Sequence, residues 1–137
     1  MTNAIRFEVA GEPVAKGRAR SAMIGGRMAH YTPTKTKAYE QQVAWAAKQA
    51  MGSAGPLAGA VSVSITAIFG IPQSWSKKRR EAVLGRDKTS RPDLDNIIKS
   101  IGDGCNGIVW NDDSQITYLS CAKMYANKPC VIVEVTG

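Results

Sequence analysis

Apolar and polar residues alternate at Ile5, Phe7 and Val9 against Arg6 and Glu8, so residues 4–10 read as a strand with one buried face. Residues 11–31 have few apolar anchors and read as a loop, with "KGRAR" near its start and a Gly pair at Gly25 and Gly26. The following "TPTKTKAYEQQVAWAAKQAMG" predicts a helix capped by Thr32, with Pro33 at its first position and Gly52 at its end. Tyr39, Val43, Ala46, Ala47 and Ala50 fall at helical spacing and make its apolar stripe. Val61, Val63, Ile65, Ala67 and Phe69 then alternate strictly with small or polar residues, the clearest strand in the chain.

"GIPQSW" is a turn, and residues 76–84 predict a short helix capped by Ser76 and stopped by Gly85. After Pro92 a second long helix runs to about Cys105, with Leu94, Ile97, Ile98, Ile101 and Cys105 on one side. Residues 116–125 and 130–136 are rich in β-branched and aromatic residues, and the short "ANKP" between them predicts a C-terminal hairpin. The expectation is one α+β domain over residues 1–137, of order β-α-β-α-α-β-β. Two to three helices pack on a mixed sheet of about four strands. The longest apolar stretch, "AVSVSITAIFGI", is too short and too polar to span a bilayer, and the start lacks the apolar core of a signal peptide. Cys105, Cys121 and Cys130 include no C-x-x-C pair and read as reduced packing thiols of a cytosolic protein. A zinc site is not expected with His30 as the sole histidine. Trp45, Trp75 and Trp110 read as packing residues, with Trp110 nearest the acids described next.

Charge changes the picture. The chain carries 18 Lys and Arg against 11 Asp and Glu, a net of +7. Yet five of the acids (Asp93, Asp95, Asp103, Asp112 and Asp113) lie between Arg91 and Ile116. A basic body is either an ordinary soluble surface or a partner for a polyanion, because Lys and Arg replace the counterions condensed on phosphates. The acidic segment would repel that same polyanion unless a cation sat on it.

On the helix after Pro92, Asp95, Lys99 and Asp103 recur every fourth residue on the face opposite the isoleucines. They are either two ordinary surface ion pairs or an acid–base–acid line built for chemistry. Asp93 is either a plain N-cap or a carboxylate placed beside Asp95. Asp112 and Asp113 follow a short apolar stretch, and adjacent carboxylates repel unless a cation screens them. Mg2+ takes oxygen ligands, usually one or two carboxylates with phosphate oxygens and water. Asp93, Asp95 and one of Asp112 or Asp113 would supply such a set, with Mn2+ the alternative ion. "SWSKKRREA" adds Lys77, Lys78, Arg79 and Arg80 in the first turn of a helix, where cations oppose the dipole. Such a run is a tolerated charge cluster or a phosphate contact, and "KGRAR" offers Lys16, Arg18 and Arg20 for the same purpose.

The segment "RPDLDNIIKSIGDGCNGIVWNDDSQI" resembles the signature of the RusA-type Holliday-junction resolvases. The likeness lies in D-L-D-N-x-x-K, an Asp on the same helix and a W-x-D-D-x-Q end. The earlier "GEPVAKGRARSAM" and "YTPTKTKAYE" are similar to the opening of many members. The resemblance implies a Mg2+-dependent endonuclease, phage or prophage in origin, that acts as a symmetric homodimer on branched DNA in recombination and repair. It implies that Asp93, Asp95 and Asp113 bind metal and are catalytic, with Asp112 as alternative ligand. It also matches Lys99 to the family's helix lysine and Asp103 to its supporting helix aspartate. Three rival readings share some of these features: a nuclease for other branched DNA, a DNA-binding protein that does not cut, and a nucleotide-sugar transferase using D-x-D.

Overall fold

The structure, a computed structural model, describes residues 4–17, 20–31 and 33–137. The alternating strands assemble into a four-stranded mixed sheet. Its strands are β1 (Ala4–Ala10), β4 (Val61–Gly70), β5 (Ile116–Ala126) and β6 (Cys130–Thr136). The spatial order is β1-β6-β4-β5. β6 is antiparallel to both β1 and β4, while β4 and β5 run parallel. Val61, Val63, Ile65, Ala67 and Phe69 of β4 share one buried face with Val131, Val133 and Val135 of β6 and with Phe7 and Val9 of β1. Each fully buried valine contributes on the order of 2 kcal/mol.

Two helices complete the core. α1 (Thr34–Met51) buries Tyr39, Val43, Ala46 and Ala47, and α3 (Leu94–Cys105) buries Ile97, Ile101 and Cys105. The short α2 (Lys77–Val83) buries none of its residues, and the Ser76 hydroxyl accepts from the Arg79 N–H at its start. The expected α+β class and element order are therefore observed.

Several local expectations are corrected. β5 and β6 do not pair as a hairpin, because β4 lies between them. β4 and β6 alternate regularly and take interior positions, whereas β5 exposes Thr117 through Ser120 and suits an edge. The stretch read as a loop contains a separate two-stranded ribbon, β2 (Arg20–Ile24) and β3 (Arg27–Tyr31). Its turn is Gly25-Gly26 with φ of 58° and 78°; a left-handed pair of this kind closes a two-residue hairpin. Pro33 is the N-cap of α1 rather than its first helical residue, and the expected cap at Thr32 lies outside the described residues. Ala50 is exposed and Met51 takes its place in the stripe, while Trp45 stands 65% exposed on the outer face of α1. Leu94, on the apolar side of the expected helix, is 36% exposed in the first turn of α3.

α1 and α3 cross closely at one glycine. A Cβ at Gly104 would stand 2.6 Å from Val43 Cγ1 and 3.0 Å from the Glu40 carbonyl oxygen. Gly104→Ala is therefore expected to destabilise the protein by about 1–3 kcal/mol, the range for overpacking. Equilibrium urea unfolding checks it, and Gly55→Ala, where a Cβ meets nothing within 4 Å, is the control.

Candidate active site

α3 is amphipathic, and burial of Ile97, Ile101 and Cys105 turns its opposite face to solvent. That face carries Asp95 and Lys99, both exposed. Gly102 follows on the same stripe, seven residues and about 10 Å beyond Asp95 along the axis. Asp93 is the N-cap, with extended φ −70° and ψ 146°, and its side chain makes no capping bond. Asp95 Oδ1 accepts only from the adjacent Asn96 N–H, at 3.0 Å. The start of α3, which the chain enters through a cis Arg91–Pro92 peptide, thus presents two solvated carboxylates.

The second acid pair is brought alongside by a tight reversal. α3 ends at Cys105, and Gly107, at φ 81°, turns the chain so that its N–H meets the Trp110 carbonyl at 2.7 Å. Trp110 is fully buried and donates its indole N–H to Asp113 Oδ1 at 2.7 Å. The Asp113 carboxylate lies against α3 at Gly102, 3.9 and 4.0 Å from where a Cβ would stand. Burial, and secondarily the charge of Asp113, pushes the Cys105 thiol up to about 12, so it stays protonated.

Asp112 has a different place. It caps the single turn Asp113–Gln115 in a reciprocal capping box and accepts from the Ser114 hydroxyl at 3.0 Å. Gln115 completes the box: its Oε1 accepts from the Asn111 and Asp112 N–H groups, and its Nε2 donates to the Leu57 and Gly59 carbonyls. Gln115 was visible only as the end of D-D-x-Q, where the spacing of a capping box was the available signal.

The lysines part company. Lys99 has no carboxylate partner among the described residues, so the expected Asp95–Lys99–Asp103 ion-pair ladder does not form. Asp103 instead pairs with Lys16 at 3.0 Å, and Lys16 also bonds Glu40 of α1 at 2.5 Å. Lys16, expected to face DNA, is thus a strut between α1 and α3, and its N–H donates to the Asn96 carbonyl at 2.8 Å. Arg18 lies outside the described residues, and Arg20 begins β2. Lys77, Lys78 and Arg79 are exposed on α2, and Arg80 is half-buried. Arg79 stacks over Trp75 at 3.5 Å from the ring centroid, and Trp75 meets Tyr125 edge-on.

Asp93 and Asp95 stand at the start of α3 and Asp113 beside Gly102 further along it, without closing into a cage. Among the described residues no three acid, cysteine or histidine side chains converge on one point. The free carboxylates of Asp93 and Asp95, beside the Asn96 amide, nevertheless fit a hard divalent cation, which needs only one or two carboxylates with water and phosphate oxygens. Asp93 and Asn96 also line a shallow open depression with Arg91 and Pro92.

The strut generates a stability prediction. Burial opposes the Lys16 ammonium, but its bonds to Glu40 and Asp103 outweigh this and raise its pKa above the ordinary 10.5. A raised folded pKa means that the stabilisation is complete below 10.5 and is lost as pH rises through the folded value. Lys16→Met is expected to cost roughly 2–4 kcal/mol at pH 8, since it leaves two half-buried carboxylates without their cation. Urea unfolding at pH 8 and above pH 11 checks it, and the gap between variant and parent narrows at the higher pH.

Comparison with known proteins gives the family. The family model described as "Endodeoxyribonuclease RusA" matches residues 10–136. The chain is 36% identical over 135 residues to the "Uncharacterized protein YqaN" of Bacillus subtilis (strain 168), covering 96% of this chain and 94% of that protein. It is also 36% identical over 77 residues to the "Crossover junction endodeoxyribonuclease rusA" of Lactococcus phage r1t, covering 56% of this chain and 53% of that one. With the match running from residue 10 to 136, across both acid pairs, the α3 lysine and strands β4, β5 and β6, the chain belongs to the RusA endodeoxyribonuclease family.

Proposed function

We propose that this protein cleaves four-way DNA junctions by metal-dependent phosphodiester hydrolysis, in recombination and repair. The observation that carries the reading is the solvent face of α3. Asp95, Lys99, which pairs with no carboxylate among the described residues, and the Asp113 carboxylate over Gly102 follow one stripe of α3 on a chain of net charge +7. Acids on a basic protein that binds a polyanion need a cation, and Asp93 and Asp95 would hold it, with Asp113 further along the same face. When bound, Mg2+ or Mn2+ would lower the pKa of a coordinated water and stabilise the leaving oxygen.

The chain's own residues supply the rest. Lys99, exposed on that face, would reach a phosphate oxygen and stabilise charge developing there. The Trp110 indole N–H fixes one oxygen of Asp113, which leaves the other for the site. Asp112, engaged in the capping box, serves the fold of this turn rather than the chemistry. Arg18, Arg20, Lys77, Lys78 and Arg79 would hold the sugar-phosphate backbone, whereas Lys16 acts through the α1–α3 strut. A junction has two-fold related strands, so a symmetric homodimer would present two such faces for paired cuts. Among the described residues no helix is long and apolar enough to cross a membrane. The cytoplasm is proposed as the location because the DNA lies there.

Two expectations test the assignment of roles on a synthetic four-way junction. Asp95→Asn and Asp113→Asn should abolish cleavage and leave junction binding intact or tighter. Asp112→Asn should cleave normally, because Asn caps as well as Asp; equal loss in Asp112→Asn and Asp113→Asn would reverse this division. Lys99→Met should lower the single-turnover rate by about 10²–10³, the scale of one lost transition-state donor. Recovery of that rate at saturating Mg2+ would mean that the lysine only balances the acids.

A further inference from the structure

The two carboxylates at the start of α3 depend on the turn that delivers them. That segment first runs beside β5. The Gly85 N–H bonds the Tyr125 carbonyl, the Tyr125 N–H bonds Arg86, and the Lys88 N–H bonds Lys123. Among the described residues no backbone bond of this kind continues past Lys88, and the bonds that hold residues 89–92 come from side chains. Lys88 Nζ donates to the Ser90 hydroxyl at 2.6 Å. Lys123 Nζ donates to the main-chain carbonyls of both Ser90 and Pro92, each at 2.9 Å. Those carbonyls bracket Arg91, and the second belongs to the residue just before Asp93.

Lys123 is half-buried on β5 opposite Ala67, and among the described residues it pairs with no carboxylate. Its two acceptors are neutral carbonyls. The turn it holds is largely exposed at Ser90, Arg91 and Asp93 and buries little apolar surface. A cation spent here adds less to the global fold than to the placement of one short turn. Groups that orient a ligating side chain govern affinity although they never touch the ion.

We propose that Lys123 is a positioning residue. By fixing the Ser90 and Pro92 carbonyls it sets the Asp93 and Asp95 carboxylates in the arrangement that takes a divalent cation. This rests on the nuclease reading of α3. Its test keeps the two apart by reading metal binding as well as cleavage.

The experiment uses the full chain with Lys123→Met and Lys123→Arg. Mn2+ binding is measured by calorimetry without DNA, junction cleavage across a Mg2+ titration, and melting temperature by circular dichroism. Lys123→Met should weaken Mn2+ binding by about 10–100-fold, the range for losing such an orienting group. It should raise the Mg2+ concentration for half-maximal cleavage to match and leave metal-free junction affinity unchanged. Lys123→Arg, which keeps N–H donors for both carbonyls, should recover most of the loss. Unchanged Mn2+ affinity and an unchanged Mg2+ midpoint in Lys123→Met would overturn the proposal. So would a lowered melting temperature with an unshifted midpoint, since that marks a purely structural tether. If the parent protein binds Mn2+ but cuts no junction, the junction reading fails; a loss of Mn2+ affinity in Lys123→Met then still supports the clamp, and no loss refutes it. A parent that neither binds Mn2+ nor cleaves overturns both.

Discussion

The seating of α3 against α1 is the contact on which the rest of the molecule depends. Gly104 leaves no room for a methyl group between the helices, and Ile97, Ile101 and Cys105 are fully buried beside it. With that side fixed, a 3.6-residue period leaves no freedom for the other: Asp95, Lys99 and Gly102 must face out. The Asp113 carboxylate lies over this face at Gly102, at ordinary contact distance from where a Cβ would stand. The glycine at the helix crossing sets the depth of α3, and that depth fixes which face Asp113 meets.

Charge follows the same division. Lys16 is drawn inward to bind Glu40 and Asp103, which places one cation between the two acids where α1 and α3 meet. Among the described residues Lys99, on the solvent side, has no carboxylate partner, and the carboxylates of Asp93 and Asp95 have no basic side chain paired to them. Half-buried acids are paired because an isolated charge there is costly, whereas exposed acids can remain free for a ligand. The acidic segment is thus two populations, one structural and one available to a cation and phosphate.

Much of this was legible in the sequence. The 3.6-residue spacing of the isoleucines placed Asp95 and Lys99 on one face, and the strict alternation from Val61 to Phe69 marked the central strand. Other features depend on contacts between distant residues, which local periodicity does not encode. Nothing in "KGRAR" distinguishes a lysine that reaches DNA from one bound to carboxylates on two helices. The proximity of β5 and β6 in sequence suggested a hairpin, but β4, more regularly apolar, takes the position between them. Asp112 and Asp113 are adjacent and chemically identical. They part only because Trp110 reaches one while the capping box takes the other, and neither partner shows in the charge pattern. The β2–β3 ribbon was missed because its apolar residues run together, as at Ala22, Met23 and Ile24, rather than alternating with polar ones, although the Gly25-Gly26 pair was a readable hairpin signal.

The central claim is that the exposed face of α3 cuts DNA at a branch with the help of a divalent cation. Incubating the unmodified protein with a synthetic four-way junction and with a linear duplex of the same sequence, each in Mg2+ and in EDTA, tests it most directly. The account predicts paired, symmetric cuts in the junction with Mg2+, little cutting of the linear duplex, and none of either in EDTA. Equal cutting of both substrates, or junction cleavage that persists in EDTA, would contradict it.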